Sequence, residues 1–360
     1  MMVATPYETL VESAARLTEV DALADIDESQ VTAASDLLQQ NHLALESARR
    51  ALGPDCVVPI RYEEAFFSEH CDHVLHLRNL ARVFRAEAWL AASRNDFRAA
   101  AHICIDTLEL ANAIRRGGLV TDLLVGIAIS GIAIDILRKI RIKLDDSTRR
   151  VVIDELYRLE AQREPFAAVV ARDRAWEVAV GNKDKQCDFM SLELSDPEEC
   201  GLSEDQQKEI VQLLQQMADL PEPDLRKMQR DQDCHTLALM RMLAVNLALR
   251  GLRDASGTFP NDLSSLTPHP FAQLPLDPYT ENSFIYRRIH SSSFDLYSTG
   301  PKLTDGGGHF GPGPSVAAGC ADLCLDADDY WLEWCNSERP RGLARRIATA
   351  LRGWRYRWRR

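Results

Sequence analysis

Between Leu119 and Leu137 the sequence reads LVTDLLVGIAISGIAIDIL, an apolar run long enough to cross a bilayer. No other stretch constrains the fold as strongly, because a helix that is apolar on nearly every side needs either lipid or a ring of other helices around it. Gly126 and Ser130, four residues apart, form a small-residue pair suited to close helix contact. Asp122 and Asp135 argue against lipid, since each is costly in hydrocarbon. Both are expected to lie on one solvated face of the helix. The reading is a nearly buried helix at the centre of a bundle, and a transmembrane span is not favoured.

The rest of the first 256 residues supplies the helices such a bundle needs. Thr5-Pro6 opens a first helix with a cap and an N1 proline, and Gly53-Pro54 stops a second that begins near Asp27. Apolar-periodic stretches follow over 63–93, 97–115, 119–142, 147–164 and 165–180. Short connections between them imply antiparallel helical hairpins. From Gly181 to Gly201 the period fails, which marks a linker or long loop. Ser203 and Gln206 then form a capping box ahead of another helix, and PEPDLRKMQRDQD begins a long one ending near Ser256-Gly257.

Composition fits this outline. The chain of 360 residues is 46% hydrophobic and 27% charged, as soluble globular proteins are. Its net charge of -12 is unevenly placed: 339–360 holds nine arginines and no acid, so the remainder carries -21. Such a body repels nucleic acid, while the tail attracts anions. The start, MMVATPYETLVES, has neither a basic n-region nor an apolar h-region, so a reducing, cytoplasmic setting is expected. Nine cysteines include no CxxC pair, although Cys320, Cys324 and Cys335 are close enough in sequence to meet.

Two helical features bear on function. His70, His73 and His76 are spaced by three on one helix, where a pair could chelate a metal. Three imidazoles along one helix cannot close a tetrahedron without a ligand from elsewhere, so partly exposed histidines are the expectation. The stretch Phe84 to Ala111 has a small Ala88, an Asn95-Asp96 turn, an aromatic Phe97 and a small Ala100. That layout resembles one tetratricopeptide-type hairpin, a family whose stacked repeats usually bind proteins or peptides. Because such an array needs at least about three repeats to be stable, a generic bundle is the equal alternative. There is no GxSxG elbow, P-loop, HExxH or Rossmann glycine pattern, which points away from catalysis.

After Ser256 the pattern changes to prolines and short strands. SFIYRR and SFDLYS flank IHSS as a hairpin. Phe284 and Tyr286 share one face, as do Phe294, Leu296 and Ser298, so a small sheet can close on the helix over 240–252. Phe259-Pro260 ends the helical run, and Asp277-Pro278 starts a tight turn. Gly257-Thr258-Phe259-Pro260, Leu274-Pro275-Leu276-Asp277-Pro278-Tyr279, Ser298-Thr299-Gly300 and Asp326-Ala327-Asp328 stand in order. Together with the glycine run after Asp305 they resemble the globular head of the major pseudopilin of type II secretion systems. The resemblance covers about a quarter of the chain. Tails of similar pattern also follow helical regions in uncharacterised bacterial proteins.

The resemblance implies a calcium site, for which Asp305, Asp326 and Asp328 would supply carboxylates. Lys302 stands where the family has an aspartate, and the loop to Asp326 is longer than the family's. The family polymerises through an apolar N-terminal helix, whereas the equivalent helix here begins with the polar PEPDLRKMQRDQD, so fibre assembly is not expected. In the tail, Leu343, Ile347, Leu351, Trp354 and Trp358 share a helical face among arginines. Such a helix suits an anionic membrane surface, with docking on the protein's own acidic body and nucleic-acid contact as alternatives.

The expected architecture is therefore α+β: a helical region over 1–230, a pseudopilin-like module over 231–337 and a basic amphipathic tail over 338–360. The expected function is a non-enzymatic interaction or scaffold protein that binds a protein partner through its helical surface and sits peripherally at a membrane through its tail. The rival is a metal-dependent hydrolase with a site between the helical region and the module.

Overall fold

The computed structural model describes residues 4–20, 31–181, 221–308 and 322–326, and the fold is α+β. The helices in chain order are α1 (Pro6–Ala15), α2 (Val31–Gln40), α3 (His42–Ala51), α4 (Glu64–Ser93), α5 (Phe97–Arg115), α6 (Val120–Ile140), α7 (Asp146–Ala161), α8 (Phe166–Val180) and α9 (Glu222–Ser256). A small antiparallel sheet of β1 (Ile285–His290), β2 (Ser293–Ser298) and β3 (Leu323–Cys324) follows, in the order β1-β2-β3.

Local chemistry sets most of the boundaries. The Thr5 side chain accepts the Glu8 amide while Glu8 reaches back to the Thr5 amide at 2.8 Å, completing the cap of α1. Asn95 takes a left-handed φ of 62° and the Asp96 side chain accepts the Ala99 amide, which turns α4 into α5. Gly257, at φ 83°, ends α9. The helix expected from near Asp27 to Gly53 is instead two, because the chain breaks at Asn41. This buried amide leaves the helical path to bond the backbone of Thr18, at 2.9 Å to its N–H and 3.1 Å to its carbonyl. Asp27 and the capping-box helix after Ser203 lie outside the described residues.

The apolar run forms α6, and α4, α5 and α9 surround it. Among the described residues α6 is the one helix long and apolar enough to cross a membrane, and most of it is buried inside the protein. Gly126 permits a close approach: a Cβ there would stand 2.8 Å from the Ala111 carbonyl on α5. Asp122 and Asp135 are both buried, and 13 residues at about 100° each set them on different sides of α6, which corrects the expectation of one solvated face. Burial is possible because each is partnered, Asp122 by His70 and the Leu119 amide, Asp135 by Arg138 and Lys139.

One hydrophobic core runs from these helices into the sheet, taking in Leu80, Ile129 and Leu243 together with Phe259, Phe284 and Leu296. The division expected at 230/231 falls inside α9, which serves both parts. In the hairpin β1 extends through His290, so the turn is shorter than the expected IHSS, and the register shifts between Arg288 and His290. Phe259 packs edge-on against Phe294 with centroids 4.6 Å apart, and its amide donates to the Ser291 carbonyl at 3.0 Å, pinning the exit of α9 to the sheet.

Candidate functional site

The N-terminus of α6 is a buried helix end, and its orphan amides need acceptors. Asp122 Oδ2 accepts the Leu119 amide at 2.7 Å, and Asp173 of α8 accepts the Val120 amide at 3.0 Å. The other oxygen of Asp122 accepts from His70 Nε2 of α4 at 2.7 Å. His70 and Asp122 are 1% and 0% exposed. His70 stacks on Phe66, with centroids 4.9 Å apart, and lies near Tyr7 of α1. Among the described residues the Tyr7 hydroxyl and His70 Nδ1 are buried without a hydrogen-bond partner. Burial, then the charges of Asp122 and Cys56, push the Tyr7 hydroxyl well above its ordinary pKa. Burial likewise drives the Cys56 thiol up to about 12, so it is no ready nucleophile.

This arrangement corrects the expected histidine face: His73 and His76 are partly exposed, but His70 is a core residue. Its partner lies 52 positions away, beyond the reach of helical spacing. Among the described residues no three His, Cys, Asp or Glu side chains are grouped to hold a metal ion. The dyad sits between α4 and α6, inside the helical region. Its carboxylate is occupied as a helix cap, so the geometry serves to position α6 against α4 and α8.

A second polar centre organises the sheet module. Asp277 Oδ1 accepts the Tyr279 amide at 3.0 Å, and Oδ2 accepts the Ser298 hydroxyl at 2.7 Å. Ser298 Oγ in turn accepts the Gly300 amide at 2.9 Å. The DP turn and the S-x-G segment noted in the sequence are thus one buried hydrogen-bond chain.

The expected calcium carboxylates occupy separate places. Asp305 Oδ1 accepts the Tyr297 hydroxyl at 2.9 Å and the Gly307 amide at 2.7 Å, and Oδ2 pairs with Arg287 at 3.1 Å. Asp326 is gripped by Arg141 at 2.7 and 2.9 Å, while Asp328 lies outside the described residues. The glycine run instead turns its amides toward Asp322, a buried carboxylate overlooked in the sequence, with Gly306 at 3.0 Å and Gly308 at 2.8 Å. A cue was available: amides exposed by DGGG require an acceptor, and a buried one must come from the protein. Lys302 is half-buried, and burial lowers its pKa.

Elsewhere buried charge ties helices together. Arg115 and Arg163 converge on Asp233 of α9, and Arg172 holds Glu164, which also accepts the Gly117 amide at 2.9 Å. Burial alone would raise the pKa of Asp233, but the hydrogen bonds of Arg115 and the charge of Arg163 hold it below the ordinary range.

Comparison with protein-family models, with curated proteins and with solved structures matched none of them.

Proposed function

We propose that the chain is a non-enzymatic interaction or scaffold protein, its helical bundle offering a docking face to a protein partner. The observation that carries this reading is the outward face of α8. An edge helix ordinarily turns polar residues to solvent. Here Ala167, Ala171, Ala175 and Val178 follow one another at helical spacing and are exposed, Val178 to 84%. An exposed apolar stripe on an otherwise charged body suits association with another surface. The sheet module, proposed to be pseudopilin-like, shares the bundle's core and serves as a fixed part of the same body. The arginine-rich tail over 339–360 is proposed to bring that body to an anionic membrane surface.

Site-specific photo-crosslinking from position 171 of the full-length chain in cells tests the docking face. The expected product is a discrete adduct with another polypeptide that disappears when Val178→Asp is added. Crosslinks confined to the chain's own residues would overturn the reading. For the tail, binding to vesicles containing anionic lipid should fall with added salt and vanish on deletion of 339–360, and binding that survives the deletion would refute the membrane role.

A further inference from the structure

The carboxyl end of α6, the start of α7 and the last turns of α9 meet in a cluster of arginines. Arg141 grips Asp326, Arg149 reaches Asp254 at 2.6 Å, and Arg253 lies 3.3 Å from the same Asp254 while stacking on the Phe259 ring. Asp146, whose carboxylate lies against Gly251, is taken by Arg150 at 2.6 Å. Arg250 sits among these groups with a different kind of partner. Its Nε donates to the neutral amide of Asn246 at 2.8 Å, and no carboxylate among the described residues pairs with it.

Five guanidinium groups therefore face three carboxylates. Part of the excess is met at the carbonyl end of α6, where Arg141 also donates to the Arg138 carbonyl. Two of the five are nearly buried yet incompletely satisfied: Arg141 Nε and Arg149 Nε have no hydrogen-bond partner among the described residues. Burial and the charges of Arg141, Arg253 and Arg149 push Arg250 down to about 10, a cost that a bound anion would relieve. Planar, weakly hydrated guanidinium forks match phosphate geometry better than lysine would.

We propose that Arg250, with Arg141, Arg149 and Arg253 around it, forms a receptor for a phosphate-class oxyanion, free or carried on a small molecule. The divalent anion supplies the two missing negative charges and several acceptor oxygens for the unpaired N–H groups. The site joins helices α6, α7 and α9 to Asp326, two residues after β3, so occupancy would stiffen the seam between bundle and sheet module.

The test is thermal unfolding of the full-length protein in inorganic phosphate against chloride at matched ionic strength. Phosphate should raise the midpoint by roughly 2–4 °C at 10 mM, and Arg250→Gln should abolish the rise. Arg250→Gln also removes a desolvated charge, so its midpoint without phosphate should equal or exceed that of the wild type. Arg250→Lys, which keeps charge and loses the fork, should retain only part of the shift, and Arg16→Gln, at a distant exposed position, all of it. Equal midpoints in phosphate and chloride would overturn the proposal, as would a shift that survives Arg250→Gln. A phosphate shift seen only when Asp328→Asn and Asp329→Asn are introduced would also overturn it, by showing that the chain's own acids fill the cluster.

Discussion

His70 Nε2 and Asp122 Oδ1 stand 2.7 Å apart in the interior, joining the middle of the bundle to the first turn of its most apolar helix. Because the same carboxylate accepts the Leu119 amide, one side chain holds two donors that would otherwise be buried and unpaired. Asp122→Ala is expected to destabilise the protein by about 2–6 kcal/mol, because it leaves two buried donors unpaired at about 1–3 kcal/mol each. Asp122→Asn keeps an acceptor for the amide and should cost less. Urea unfolding of the two variants checks the order; equal and small losses would show that the dyad contributes little.

Gly126 and Gly131 lie five positions apart on α6 yet should respond in opposite directions to alanine. At 126 the new methyl would sit 2.8 Å from the Ala111 carbonyl, forcing α5 and α6 apart. A loss of about 1–3 kcal/mol is expected. At 131 nothing lies within 4 Å of the added carbon, so the gain in helix propensity should show through as about 0.5–1 kcal/mol of stabilisation. Thermal denaturation of the pair measures both signs at once.

These two glycines also mark the boundary of what the chain reveals by itself. The small-residue pair Gly126 and Ser130 was legible as a contact site because its spacing is local, but nothing local names Ala111 as the neighbour. Helix ends were legible wherever a cap stands next to them, as at Thr5, Asp96 and Gly257. The break at Asn41 was not, since its reason is the backbone of Thr18, 23 residues earlier. Asp122 and Asp135 do not share a face, since 13 residues at about 100° each set them on different sides of α6, and that Asp122 meets a histidine rather than water depends on α4, 52 residues earlier. The sheet was read more fully because alternation fixes which side chains share a face, and its motifs close over short distances. Ser298 reaches Asp277 across 21 residues made of one turn and the β1-β2 hairpin.

Asp233 gives the molecule an acid sensitivity. Its folded pKa is held below the ordinary aspartate value of 3.8, so the unfolded chain binds its proton first as pH falls. The stability contributed by the Arg115–Asp233–Arg163 cluster is present above that value and is lost as pH drops through the lower, folded pKa. Unfolding free energy measured from pH 5 to pH 2 should therefore decline in the wild type. In Asp233→Asn the decline should be shallower, from a lower plateau. Parallel profiles would remove Asp233 as the responsible group.

Calcium would have to compete with arginine at the two described carboxylates proposed to bind it. Asp305 is held by Arg287 and Tyr297, and Asp326 is chelated by Arg141, so each carboxylate must give up a charged partner before it can coordinate a cation. A hard ion needs six to eight oxygens, and the freed arginine would remain beside it as a repelling charge. Arg287 is the easier of the two to remove, because it is half-exposed and its pair is worth at most about 1 kcal/mol. Calcium titration followed by thermal shift is therefore expected to have little effect on the full-length wild type and a larger effect on Arg287→Gln. If calcium binds through these residues, adding Asp305→Asn to that variant must erase the gain. A wild-type response that ignores both substitutions would place any calcium site elsewhere in the chain.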